Sequence, residues 1–401
     1  PETGTATSLK ISYETSLRVA TVSKLKPVIT SSRGAECTLD PEEQLRKGSM
    51  KFALFSLIKN ALEAVSSAEW TPHERFRQVI DEAVFAEQLG FDAYGVGERH
   101  SEPYLSTAPP VVLAAVAEHT RRMRLLSTVT VISLLDPVRV AEDYATLDQL
   151  SGGRLELMIG KGNDARDYPL FGLDADRRWE YQEEKFVLLH RLLRECDVTW
   201  SGEFRPPLQG VTVLPRPFRS SIPIWHGSSS SPESTELAAR FGDPLFTANL
   251  FHPKKRYADL VDHYRERWVA HGRDPADALV GSGADGIFVA PTSQAAVEGY
   301  RPYFDARARS ALHQRHGSPY RTVEEIIDGG SALVGSPQQV IDKIADYHAS
   351  FRHELLALSV DALSLADSRA VLELFAAEVM PVVRRELPST VWDDNRCPSC
   401  T

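Results

Sequence analysis

From Met50 onward the hydrophobic positions alternate between two spacings. Short apolar runs, of the kind buried as strands, are followed by longer stretches with apolar residues three and four apart, as on helices. Lys51 to Leu57 (KFALFSL) reads as the first strand. Thr71, Pro72 and Glu74 then open a helix, with threonine as the cap and proline at the first helical position. That helix carries Phe76, Val79, Ile80, Ala83, Val84 and Leu89 on its apolar face and stops at Gly90. Further strands are expected at Asp92 to Val96, Arg124 to Ile132, Leu155 to Ile159, Ile222 to Gly227, Pro244 to Ala248, Leu279 to Ala290 and Glu354 to Val360. Helices are expected near 109–120, from Asp136-Pro137 to Leu150, and over 176–195, 232–241, 253–271, 292–311, 337–350 and 366–386.

Eight strands alternating with helices favour an α/β fold, a single (β/α)8 TIM barrel, over a doubly wound sheet. The stretch 199–218, TWSGEFRPPLQGVTVLPRPF, is rich in proline and glycine and reads as an inserted hairpin or loop. Residues 312–332 have weak periodicity and suit a mobile lid or a helical excursion. Residues 1–49 lack sustained periodicity and read as an N-terminal extension outside the fold, which is expected to span 50–388. Residues 389–401 read as an unstructured tail.

Composition narrows the classes of partner. The formal net charge of -10 argues against nucleic acid or an anionic membrane as the main partner. No apolar run reaches the length of a spanning helix, and no signal peptide is visible. The four cysteines, Cys37, Cys196, Cys397 and Cys400, are too few for a disulfide scaffold and suit a reducing cytoplasm. Cys397 and Cys400 form a CxxC at the C-terminus without the two further ligands a metal site needs, so no metal is expected.

In such a barrel the chemistry lies in the loops at the carboxyl ends of the strands. The fourth strand runs into Gly160, Lys161 and Gly162. The glycines let backbone approach a ligand, and the lysine can meet a phosphate; the same residues would also serve as an ordinary turn. After the fifth strand, four serines (228 to 231) precede a helix start, where free N–H groups attract anions. Glu233 in that turn opposes this reading, and a serine run is also a plain flexible turn. Because the fourth and fifth barrel strands are neighbours, both loops would face one pocket. The second strand ends in Glu98, Arg99 and His100. A histidine there is a candidate acid or base, and a surface charge cluster is the alternative. There is no GxGxxG, Walker loop or HExxH.

Several blocks in order, MKFALFSL, AEQLGFDAYGVGERH, DPVRVAEDYATLDQLSGGRLELMIGKG, PIWHGSSSSPESTELAARFGDP and ALVGSPQQVIDKI, resemble the bacterial-luciferase-like, flavin-dependent monooxygenases. The resemblance spans Met50 to about Pro388. It implies a barrel that holds reduced flavin mononucleotide (FMN) supplied by a separate reductase, reacts it with O2, oxygenates a small organic substrate and forms a homodimer. It implies that Lys161, Gly162 and Asn163 hold the flavin phosphate with Ser231 and Ser234, with Ser230 at the family's acidic position. The bend in the third strand, which often holds a non-proline cis peptide under the flavin ring, maps to Thr128 and Val129. Glu98, Arg99 and His100 map to the catalytic loop; Trp225, His226 and Tyr168 are separate candidates for the substrate side. The luciferases proper have histidine where Arg99 stands, so the expected chemistry is that of the broader monooxygenase branch. Two other readings follow from the same resemblance: a deazaflavin-dependent hydride-transfer enzyme, and a non-catalytic flavin-binding protein.

Overall fold

The computed structural model describes residues 48–60, 70–229, 231–250, 252–309 and 317–392. All of these lie in one unit, Pro41–Thr401. Eight parallel strands close into a barrel in the order β1 (Lys51–Ser56), β12 (Leu355–Leu358), β9 (Val280–Gly283), β8 (Leu245–Thr247), β7 (Ile224–Ser228), β4 (Leu155–Gly160), β3 (Arg124–Val131) and β2 (Ala93–Val96). The expected (β/α)8 barrel is therefore the fold, with β4 and β7 paired as neighbours through Leu157–Ile224 and Ile159–His226.

The helices form for local reasons that the sequence states. In α1 (Pro72–Gln88) Thr71 and Glu74 make a reciprocal capping box, and Pro72 needs no N–H at the first position. Helix α2 is Pro109–His119. Asp136 caps α3 (Pro137–Ser151) by accepting from the Val138 amide at 2.9 Å, and Gly152 ends it in the left-handed conformation. The segment before α4 (Arg178–Arg194) is tighter 3-10 turn, Ala175–Arg177. Helices α5 (Pro232–Phe241), α6 (Lys254–Ala270), α7 (Ser293–Arg309), α8 (Val323–Gly329), α9 (Pro337–Phe351), α10 (Leu365–Leu374) and α11 (Met380–Glu386) follow among the described residues.

Two shells of core result. The outer one lies between strands and helices and includes Phe52, Val79, Leu113, Val140, Leu157, Phe186 and Leu189. The inner one fills the barrel with Ala53, Ala93, Leu126, Met158, Trp225, Phe246, Leu355, Ala357 and Val391. Burying each larger side chain of these shells contributes about 1.5–3 kcal/mol.

The structure departs from the sequence reading in several places. The run 279–290 is two strands: β9 in the barrel and β10 (Ile287–Val289), which pairs outside it with β11 (Leu333–Gly335). An apolar run does not reveal the sheet to which it belongs. The 199–218 insert is a hairpin, β5 (Val198–Trp200) antiparallel to β6 (Leu208–Val211). Within 312–332, residues 312–316 lie outside the described residues. The rest holds α8, capped by a Thr322–Glu325 box with Val323 and Ile326 buried, which is the packed excursion of the two alternatives. The closing helix is interrupted by a wider π turn at Phe375–Val379. Residues 1–47 of the expected extension lie outside the described residues, whereas Ser49 bridges Pro388. Four residues beyond the expected end at Pro388 are described, and they pack. Ser389 and Val391 are buried, and Thr390 Oγ1 donates to Glu354 Oε2 at 2.9 Å.

Candidate active site

The carboxyl ends of the barrel strands surround a cavity that encloses about 1120 Å3 with its open mouth. That is the size class of sites for cofactors and other small molecules. Its wall takes residues from many strand ends and from the loops that follow them.

The floor is made by the third strand. The Thr128–Val129 peptide is cis, as the resemblance implied, and the register with β4 shifts between Thr128 and Thr130. This bulge pushes Val129 into the lumen, where its side chain lies between two glycines. A Cβ on Gly227 would come within 2.7 Å of Val129 Cγ1, and one on Gly160 within 3.0 Å of Cγ2. Glu98 fixes the bulge from the neighbouring strand end. Its backbone N–H donates to Val129 O at 3.1 Å, and its Oε2 accepts from the Val131 amide at 2.9 Å. The other oxygen, Oε1, meets His100 Nε2 at 2.8 Å. Glu98 and Arg99 line the cavity, but His100 does not; its ring packs on Phe171 at 4.8 Å. The expected three-residue cluster thus divides, with His100 acting on the cavity only through Glu98.

One end of the cavity is polar. Gly162 adopts φ +72°, and a Cβ there would press on Val131 Cγ1 at 2.9 Å, so glycine is required on both counts. The loop is pinned from below: Tyr168 OH donates to Lys161 O at 2.6 Å and Ser133 Oγ to the same oxygen at 3.0 Å. The pinning leaves Lys161 Nζ over the Trp179 ring, 4.9 Å from its centre, with no ion pair among the described residues. Burial pulls this ammonium down to about 8, Arg178 adds to the effect and Glu233 opposes it. Across from it, Ser231 begins α5 without making a side-chain cap, and Ser234 Oγ donates to Ser231 O at 2.9 Å. Ser228, Ser229, Ser231 and Ser234 all line the cavity beside Lys161. Ser230 lies outside the described residues. Asn163 also lines the cavity, but its Oδ1 accepts from Arg99 Nη1, so it serves Arg99 as much as any ligand.

The facing wall is apolar: Phe55, Leu57, Phe246, Ala248, Leu250, Ala284 and Ala357. Sequence reasoning missed Phe246, Leu250 and Trp179, which reach the cavity from other elements, and Asp167, which follows the lysine loop without a motif to mark it. The three residues expected on the substrate side do not line it. Trp225 points into the lumen one layer lower and donates from Nε1 to Glu156 Oε2 at 2.6 Å. His226 has the opposite parity and faces the helices, with Nε2 2.9 Å from Asp243 and its ring against Phe186. Tyr168 is buried beneath the lysine loop. Among the described residues no cluster of His, Cys, Asp and Glu is placed to hold a metal ion. Also among them, no helix is long and apolar enough to cross a membrane.

A cation, hydroxyls and a helix start line this cavity together with an apolar wall. The arrangement suits a ligand with a phosphate on one end and a planar ring on the other, the class of flavin-type barrels. The chain belongs to the luciferase-like monooxygenase family, whose profile matches residues 50–354. It is 29% identical over 324 residues to 4-hydroxyprotoasukamycin monooxygenase of Streptomyces nodosus subsp. asukaensis, an alignment covering 75% of this chain and 85% of that one. Its fold is similar to the oxygenating constituent of 3,6-diketocamphane monooxygenase from Pseudomonas putida, solved with FMN (TM-score 0.69, 19% identity, 83% of this chain and 98% of that one). It is likewise similar to an F420-dependent secondary alcohol dehydrogenase (TM-score 0.67, 18% identity, 84% and 99%).

Proposed function

We propose that this protein is the oxygenating component of a two-component monooxygenase that uses reduced FMN and O2 to oxygenate a small organic substrate. The observation that carries the reading is the convergence of Lys161, Ser231 and Ser234 on one end of a cavity floored by the Thr128–Val129 bulge. The residues fit the cofactor. Lys161 and the amides opening α5 would hold the phosphate, and Val129, seated between Gly160 and Gly227, would support the ring. When bound, reduced FMN would supply the two electrons with which dioxygen is split, one atom entering the substrate and the other leaving as water.

The chain's own residues then have separable tasks. Glu98 holds the bulge and is in turn held by His100, a pair able to keep a proton at the edge of the chamber. Arg99, fixed by Asn163 and lying 5.6 Å over the Tyr104 ring, offers guanidinium N–H groups at the cavity wall. The apolar wall of Phe246, Ala248 and Leu250 excludes water from the reacting face. A separate flavin reductase completes the proposed system, since the chain carries no nicotinamide fingerprint. The groove between α2 and α3, lined by Val111, Ala114, Leu147 and Leu150, supports a homodimer. The exposed thiol of Cys196 suits a cytoplasmic location.

A deazaflavin, which also carries a phosphate and a planar ring, is the second reading, favoured by the likeness to the F420-dependent fold. Anaerobic titration separates the two. Tight binding of reduced FMN, followed by an absorbing transient and substrate-dependent oxygen consumption on mixing with O2, is the expected result. Binding of F420 with no response to O2 would instead select hydride transfer. Binding of FMN with no oxygen consumption across a substrate panel would select a non-catalytic flavin carrier.

A further inference from the structure

Asp167 is a group that the reading above does not use. It lies in the 3-10 turn Ala165–Phe171 that follows the lysine loop, and it lines the same cavity as Lys161, Gly162, Asn163 and Trp179. Only 5% of the residue is exposed. Its backbone N–H donates to Asp164 O at 3.3 Å, which fixes the turn. Of its carboxylate, Oδ1 is buried without a hydrogen-bond donor among the described residues. Its neighbours are already committed: Arg166 is turned to Asp164 at 2.6 Å, and the Tyr168 hydroxyl is spent on Lys161 O.

A buried carboxylate oxygen without a donor is costly. Elsewhere this protein avoids the cost, since the buried Glu98 and Glu156 and the half-buried Asp92 are each hydrogen-bonded. A carboxylate accepts and does not donate, so the missing partner is a donor such as a hydroxyl. An anion is excluded by charge, which separates Asp167 from the phosphate cradle although both lie on one loop. Asp167 follows Lys161 along that loop and lines the same cavity, through which a ligand held by its phosphate would run its linking chain toward the ring.

We infer that Asp167 accepts a hydrogen bond from a hydroxyl of the polyol chain that joins phosphate to ring in the bound cofactor. The inference rests on the flavin reading, and it assigns a second binding contact on the β4 loop that is independent of phosphate. It also gives this residue a signature opposite to that of a structural one: it costs stability in the free protein and repays it in the complex.

The test compares full-length wild type with Asp167→Ala, the near-isosteric Asp167→Asn and Lys161→Ala. The probes are dithionite-reduced FMN, riboflavin and lumiflavin, which carry phosphate and polyol, polyol alone, and neither. Asp167→Ala should weaken FMN and riboflavin by the same factor, about tenfold or more, as for a hydrogen bond to a charged group. Lys161→Ala should weaken FMN and spare riboflavin. Both Asp167 variants, free of ligand, should melt at a higher temperature than wild type. Unchanged riboflavin affinity in both Asp167 variants overturns the inference. So does an equal loss with lumiflavin, which would move the contact to the ring. A lower melting temperature of both free variants makes the residue structural and overturns it too. Wild type that binds none of the three flavins sinks the flavin reading itself, an outcome distinct from all of these.

Discussion

The two ends of the barrel treat buried polar groups in opposite ways. At the amino end the carboxylates described above are paired, and the buried atoms left without partners among the described residues include ring and guanidinium nitrogens, on His353 and Arg384. Glu156 accepts from Trp225, with Arg124 at 3.8 Å, and burial, which pushes its carboxyl up, is countered by both. Asp92 takes the Phe52 amide at 2.8 Å and Arg384 at 2.6 Å. Val391 closes the lumen from below. At the carboxyl end Lys161 Nζ, Asp167 Oδ1 and Thr128 Oγ1 are buried or half-buried and lack partners among the described residues. Both ends share strands and the same hydrophobic lumen, so the difference lies in purpose. At one end the fold itself pairs the buried carboxylates, and at the other an unpaired carboxylate oxygen and an ammonium without an ion pair face the cavity proposed to take a ligand.

Substitutions at the two ends should therefore separate stability from binding. The largest effect is expected at the closed end. Arg384→Ala strands Asp92 without its charge partner, a loss of about 3–5 kcal/mol in urea unfolding, with FMN affinity of the folded fraction unchanged. Equal loss of affinity would break the division. At the open end Lys161→Ala should cost about 1.5–3 kcal/mol of reduced-FMN binding with no loss of melting temperature. An unaltered dissociation constant would remove the lysine from the phosphate site.

The same lysine sets a pH dependence. Its pKa in the free protein is lowered to about 8, so below that pH the cation is ready, and above it binding must first take up a proton. Affinity for FMN should fall by up to about tenfold per pH unit above 8. The slope should vanish with riboflavin or in Lys161→Ala, as titrations between pH 7 and 9.5 would reveal. The smallest effect belongs to Ser234→Ala, which removes one neutral hydroxyl and should weaken FMN by about 0.5–1.5 kcal/mol. A loss as large as that of Lys161→Ala would mean that the helix start, not the lysine, dominates.

What the sequence made legible follows the same division. The lysine loop and the serine turn could be read because each packs its chemistry into a few consecutive residues with glycines that need special backbone. The capping boxes at Thr71 and Thr322 are equally local. Trp179 and Phe246 could not be read as site residues, since only closure of the barrel brings them together, and Asp167 follows the lysine loop with no glycine or motif to mark it. Trp225 and His226 show a second limit. They adjoin Gly227 in sequence, but strand parity sends one below the cavity and the other out of it. The run 279–290 shows a third, for hydrophobicity marks burial and is silent on which sheet a strand joins.

The meeting of Gly48, Ser49, Pro388 and Ser389 has a consequence for engineering. Ser389 N donates to Gly48 O at 3.0 Å, on the side of the barrel away from the cavity. The two flanks of the strand ring are thus adjacent, and a short peptide would join them. Opening the chain instead at the exposed Pro206–Pro207 tip of the β5–β6 hairpin yields a circular permutant that keeps all eight strand pairings. In that rearranged chain the lysine loop and the serine turn would lie at opposite ends of the sequence and still share one pocket.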